Sequence, residues 1–221
     1  MKKGMQDSIQ SRKTPVQSRS TVTVEAILEA TIQVLLTVGA ERLTTTLIAQ
    51  RAGVSVGTLY QYFPNKQSVL HAVLEVHLTK VVVAVERACA EARQQPVAVM
   101  AERIVEAFVT AKLERADASV ALYAVSSNAE ANALMQRLRR RSWRALAGML
   151  VTATDASFDD PAATSETLYA AMVGATRAAL EGGATSKMVR SLREQLVILC
   201  KAYLAAAGGV AARSPGVRSR G

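Results

Sequence analysis

The sequence has little cysteine, no long apolar run and none of the alternating patterns that build strands. Its two cysteines, Cys89 and Cys200, are too few and too distant for a disulfide framework, which suits a reducing compartment. Stretches such as "VVVAV" and the glycine-broken "AYLAAAGGVAA" fall short of the ~18 apolar residues of a membrane span. The start, "MKKGMQDSIQSRKTPVQSRS", has the lysines of a secretion signal without an apolar segment behind them. A soluble, cytoplasmic chain with no membrane partner is expected. Catalytic signatures are equally scarce: there is no glycine-rich phosphate loop, no serine nucleophile elbow and no telling pair of carboxylates. His71 and Glu75 share a helix face at i, i+4, but His77 lies on another, so no metal set closes. The expectation is a protein that is no enzyme and holds neither cofactor nor metal.

What is present is apolar and helical. Half of the 221 residues are hydrophobic, enough for a full core, and the formal net charge is +9. That charge sits at the two ends. Residues 1–66 hold eight basic and four acidic side chains, 67–207 hold sixteen and fourteen, and the tail from Gly208 adds Arg213, Arg218 and Arg220 without an acid. An excess so placed suits an anionic partner, although basic tails also serve solubility alone.

Residues 1–20 are polar, basic and without periodicity, and read as a flexible arm. From Thr21 a helical pattern sets in, with Val24, Ile27, Leu28, Thr31, Ile32, Leu35 and Val38 at three- and four-residue spacings and Gly39 as a stop. "LTTTLIAQRAG" predicts a short helix capped by Thr44 or Thr45. Beyond Asn65 a long amphipathic pattern runs to about Gln95, and helices follow over residues 97–115, 119–126, 129–152, 162–180 and 186–207. The tail over 208–221 reads as disordered and basic.

The densest information lies in "AGVSVGTLYQYFPNK", residues 52–66. Gly53 can take the left-handed conformation that ends a helix, Ser55 can cap the next, and Ala49 is small enough for close crossing, which is helix-turn-helix spacing. On a wheel at ~100° per residue, Leu59 turned to the core brings Val56 and Phe63 with it, while Gly57 and Gln61 face away between Thr58 and Tyr60. Such a face can enter a major groove: Gly57 allows close approach, and Thr58 and Gln61 can bond base edges or phosphates. Tyr60 and Tyr62 can reach phosphates through their hydroxyls. Lys66, behind an Asn65 cap, can hold a phosphate together with free backbone N–H groups. In the arm, Arg12, Lys13 and Arg19 could follow the minor groove or neighbouring phosphates, or remain solvated.

The stretch "LTTTLIAQRAGVSVGTLYQYFPNKQSVL", with the preceding helix and the basic arm "SRKTPVQSRS", resembles the DNA-binding domain of the TetR family of transcriptional regulators. The resemblance covers roughly residues 11–75. It implies that Thr45 and Thr46 begin the second helix near the DNA backbone. It also implies that Ser55, Val56, Gly57, Thr58, Tyr60, Gln61 and Tyr62 form the recognition helix, with Lys66 on a phosphate. The implied fold class is all-α, with an N-terminal three-helix DNA-binding domain (21–66) and a larger helical domain (67–207) for ligand binding and dimerisation. The implied partners are double-stranded DNA, a small-molecule effector and a second copy of the chain.

Two features of the middle fit that expectation. Ala171, Gly174, Ala175 and Ala178 form a small-residue stripe, and Leu192, Leu196, Leu199 and Tyr203 line one face of the next helix. Two such helices from each of two subunits would close a four-helix bundle, unless the stripe packs within one subunit. A pocket is expected among the long helices, with His77, Phe108, Tyr123, Trp143 and Met172 as candidate lining. The expected function is a ligand-released repressor that binds a palindromic operator as a dimer. Two alternatives stay open: a nucleoid-type protein without sequence preference, and a helical small-molecule-binding protein or enzyme that uses the helix-turn-helix only for packing.

Overall fold

The structure is a computed structural model that describes residues 15–125 and 129–210, without the side chains of residues 15–19, 123–125 and 210. Two compact units are present, the first ending at Leu70 and the second beginning at His71, so their boundary falls inside one helix.

The first unit contains α1 (Pro15–Arg42), α2 (Thr45–Ala52), α3 (Val56–Tyr62) and the first turn of α4 (Lys66–Glu91). Helix α1 begins six residues earlier than the sequence pattern predicts. Proline suits a first helical position because its missing N–H has no helical partner there. It buries Ile27, Ala30, Val34 and Leu35, whose spacing places them on one side. Thr31 joins that buried stripe because its hydroxyl donates to the Ile27 carbonyl at 2.7 Å. Gly39, the predicted stop, is non-helical at φ 79°, ψ 169°, and the chain resumes helical form to Arg42.

The first turns of α2 and α3 follow from their caps. Thr44 Oγ1 accepts from the Leu47 N–H at 3.2 Å. At the other end Gly53 adopts φ 70°; Val54 N–H reaches back to Ala49 O (3.0 Å) and Gly53 N–H to Gln50 O (3.3 Å), a Schellman closure. Two residues after Gly53, Ser55 Oγ accepts from Thr58 N–H at 2.9 Å and starts α3.

The second unit holds the rest of α4 with α5 (Val97–Leu113), α6 (Ala116–Val125), α7 (Ala129–Leu150), α8 (Pro161–Glu181) and α9 (Ser186–Ala207). Helix α5 lies along α9, α7 along α8 and α8 along α9. Phe108 meets Tyr169 edge to face at the centre, with centroids 5.7 Å apart, and Met100, Ile104, Leu146, Leu168 and Cys200 pack around them. Ion pairs Arg193–Glu106 and Lys201–Glu102 join α9 to α5, and Arg141 binds Glu86 of α4 through two bonds of 3.0 and 2.7 Å. Asp160 and Thr185 cap α8 and α9 through Ala163 and Met188 N–H groups.

The all-α class holds, with one addition. Ala156–Ser157 (β1) pairs antiparallel with Gly209–Val210 (β2), so the first residues of the expected disordered tail are ordered. A Cβ on Gly208 would lie 2.9 Å from the Ala156 Cβ, so glycine permits the close approach that starts this pairing. Helix α1 from Ser20 and helix α4 are long and apolar enough to cross a membrane by composition, which a search for unbroken apolar runs does not detect. Each instead turns an apolar stripe inward, α4 through Val69, Val73, Val81, Val85 and Cys89.

Candidate nucleic-acid interface and ligand cavity

Helices α2 and α3 bring the predicted DNA-contacting residues together. Leu59 is fully buried and Phe63 nearly so, anchoring α3 through one face. The opposite face leaves Gly57, Tyr60 and Gln61 exposed, with Thr46 of α2 also exposed and Val56, Thr58 and Tyr62 half-buried. The Tyr60 hydroxyl lies 3.1 Å from Thr45 Oγ1, so the phenol is fixed against α2 at the edge of this face. Ser55 Oγ and Thr58 Oγ1 are 2.8 Å apart, so both hydroxyls serve the cap as well as any base or phosphate. Arg51 is held by Gln33 at 2.6 Å.

Lys66 opens α4 behind a reciprocal cap: Ser68 N–H donates to Asn65 Oδ1 at 2.9 Å, and Asn65 N–H donates to Ser68 Oγ at 3.2 Å. Residues 45–66 contain Arg51 and Lys66 and no acid, so the field over this surface favours an anion. Arg12 and Lys13 lie outside the described residues, and Arg19 lies on α1 with its side chain undescribed.

Gly57 has no structural need to be glycine. A Cβ there would meet only Ser55 Oγ, at an ordinary 3.7 Å. A helical glycine costs up to about 1 kcal/mol relative to alanine, and no contact among the described residues accounts for it.

In the second unit a cavity of about 670 Å³ opens among α4, α5, α7 and α8, within the usual range for small-molecule sites. Its apolar wall includes Leu78, Val81, Val82, Phe108, Leu138 and Tyr169. Lys112, Arg139, Arg177, Asn132 and Gln136 supply the polar groups. Of the sequence candidates whose side chains are described, only Phe108 is on this wall. His77 is buried with Nε2 2.9 Å from Ser119 Oγ, and Ser119 donates its proton to the Lys112 carbonyl at 3.1 Å. A hydroxyl has one proton to give, so His77 Nε2 is the donor of that pair. Burial, then the charges of Lys112, Lys80 and Arg115, push the His77 imidazole down from 6.5 to about 4.

Met172 is fully buried in the core. Trp143 is half-buried beneath the Arg139 guanidinium, 5.6 Å from its ring centroid. Tyr123 lies on α6 with its side chain undescribed. Sequence reasoning missed Lys112, although a lysine four residues after Phe108 on the buried stripe of α5 is a legible signal. Burial pushes its ammonium down to about 8.

The residues of the candidate dimer face differ in exposure within the chain. Leu196 is 2 % exposed and packs inside its own chain, and Leu192, Tyr203 and Ala175 lean on the same core. Ala171 is half-buried, whereas Gly174, Ala178 and Leu199 remain exposed, joined by Ile198, which the sequence reading passed over and which is 59 % exposed. Both cysteines are buried, which raises each thiol to about 12 and leaves it unreactive. Among the described residues no group of three or more His, Cys, Asp or Glu side chains is placed to hold a metal ion.

Residues 27–73 match the family model of bacterial regulatory proteins, tetR family, and residues 96–204 match that of the tetracyclin repressor-like C-terminal domain. A curated relative, the tetracycline repressor protein class C of Escherichia coli, is 42 % identical over 55 residues, a quarter of this chain and a quarter of that protein's length. A TetR-family protein from Mesorhizobium loti superposes with a TM-score of 0.70 at 17 % identity, covering 86 % of this chain and 99 % of its own. SmeT, the repressor of the Stenotrophomonas maltophilia multidrug efflux pump SmeDEF, gives 0.64 at 22 %, covering 88 % and 96 %. These solved structures share the fold.

Proposed function

The chain belongs to the TetR family of bacterial regulatory proteins, and from that premise we propose that it is a cytoplasmic, homodimeric repressor that binds a palindromic operator and is released by a small molecule. The observation that carries this reading is the outward face of α3, where an unforced glycine, a glutamine and a fixed phenol stand exposed side by side. Repression as the sign of regulation is supported by the two named repressors among its relatives.

Dimerisation is supported by Gly174, exposed in mid-helix with nothing within 4 Å of a Cβ placed there, next to the exposed Ile198 and Leu199. Close approach of a second subunit gives that glycine a use. Release is supported by α4 being one helix from Lys66 to Glu91: its first residue is a phosphate ligand in this reading, and its Leu78, Val81 and Val82 line the cavity. A ligand that shifts α4 changes the spacing of the two recognition helices, which must sit ~34 Å apart to reach successive major grooves. Ligand and DNA then weaken each other's binding by the same factor.

Selection of duplexes from a random pool by the purified chain, at near-physiological salt, tests the proposal. Recovery of a palindrome that Tyr60→Ala no longer selects is expected. Binding with no preferred sequence that vanishes as salt rises would reduce the helix-turn-helix to backbone contact.

A further inference from the structure

We infer that the cavity between α4, α5, α7 and α8 takes an amphipathic acid: an elongated apolar body with a single carboxylate or sulfonate head that lies against Lys112. This deepens the ligand-released reading of the same site and rests on it for its regulatory meaning, though not for its chemistry.

Charge sign carries the inference. Among the described residues, those lining the cavity include three cations, Lys112, Arg139 and Arg177, and no aspartate or glutamate. Arg177 is itself paired with Glu181 at 2.8 Å, one turn further along α8. A cationic or polyhydroxylated ligand would find no carboxylate among the lining residues.

The cations also differ in depth. Arg139, Asn132 and Gln136 are exposed and belong to the mouth, whereas Lys112 is 4 % exposed on the apolar stripe of α5, one turn beyond Phe108. Lys112 thus brings a positive charge to the deep, apolar part of the cavity wall. With its pKa lowered to about 8 by burial, the amine is still mostly protonated at neutral pH. An anion that reaches it is drawn by a charge poorly screened by water, while Leu78, Val81, Val82 and Phe108 offer the body of the ligand an apolar wall. The amides and Arg139 at the mouth leave the far end of the molecule able to carry a polar group.

The test is calorimetric titration of the full chain with dodecanoate, dodecanol and dodecyltrimethylammonium, each below its micelle concentration. The same titrations are run on Lys112→Met and Arg139→Gln. Dodecanoate is expected to bind at least about tenfold more tightly than the ammonium, which is 1.4 kcal/mol or more. Lys112→Met is expected to cut dodecanoate affinity about tenfold while leaving dodecanol within about twofold. Arg139→Gln, at the mouth, is expected to leave dodecanoate affinity within about twofold, and the wild-type preference for dodecanoate over the ammonium keeps the inference testable if the core variant does not fold. Failure of dodecanoate to bind, equal or tighter binding of the ammonium, dodecanoate affinity unchanged in Lys112→Met, or an about tenfold loss in Arg139→Gln alone would overturn the inference. These titrations contain no DNA, so their failure leaves operator binding untouched. Dodecanoate that binds through Lys112 without changing operator affinity would uphold the site and refute ligand-driven release through it.

Discussion

At the scale of single residues, His77 shows how burial turns a side chain into a stability term. Its ring is held neutral with Nε2 donating to Ser119, and its pKa lies near 4 against 6.5 for a free imidazole. Between those values the unfolded chain binds a proton that the folded chain refuses, so stability rises with pH across the window and is lost as pH falls below about 6.5. At pH 5 the loss attributable to this group is about 2 kcal/mol. Urea unfolding at pH 7.5 and 5 should show His77→Gln losing that much less than the wild type, and equal losses in both would contradict the assignment. His77 was a pocket candidate in the sequence because a polar group in an apolar helix draws attention. Its partner Ser119 is 42 residues away, and no spacing rule brings the two together. Lys112 carried the opposite lesson: its position on the α5 stripe was visible, and the cavity it faces was not, because that cavity is built by four helices distant in sequence.

At the scale of elements, the α2-turn-α3 unit was legible almost residue by residue. Thr44, Gly53 and Ser55 each act through a local bond to a backbone group within five residues, and local bonds are what a sequence displays. The early start of α1 at Pro15 was not legible, since residues 15–20 carry no apolar periodicity to announce a helix. The β1–β2 pairing, two residues a side, is too short for any alternation to appear. The element-scale prediction concerns α3. Gly57→Ala fills space that holds only Ser55 Oγ at 3.7 Å, so thermal unfolding should show a fold equal to or more stable than wild type, by up to about 1 kcal/mol. The same methyl group stands where α3 would press against the groove, so affinity for the selected operator should fall about tenfold or more. A variant that is more stable and binds DNA as well as the wild type would show that α3 does not approach the bases through this face.

At the scale of the whole molecule, the proposal of two copies reading two half-sites rests on the charge distribution, the outward face of α3 and the unforced Gly174 of α8. The sequence separated the helices of the future interface from those of the pocket only coarsely. A helix face reads as apolar whether it packs inside its own chain, as Leu196 does, or stays open, as Ile198 and Leu199 do. Rigid pairing of two recognition helices makes a sharper demand than DNA binding alone. Successive major grooves on one face of the duplex recur every ~10.5 base pairs, so about five extra base pairs between half-sites turn the second one to the far side. The most direct test is therefore the affinity of the purified chain for its selected palindrome before and after a five-base-pair central insertion. The insertion is expected to reduce binding to that of a single half-site. Equal affinity for both duplexes would contradict a dimer that reads DNA through paired α3 helices.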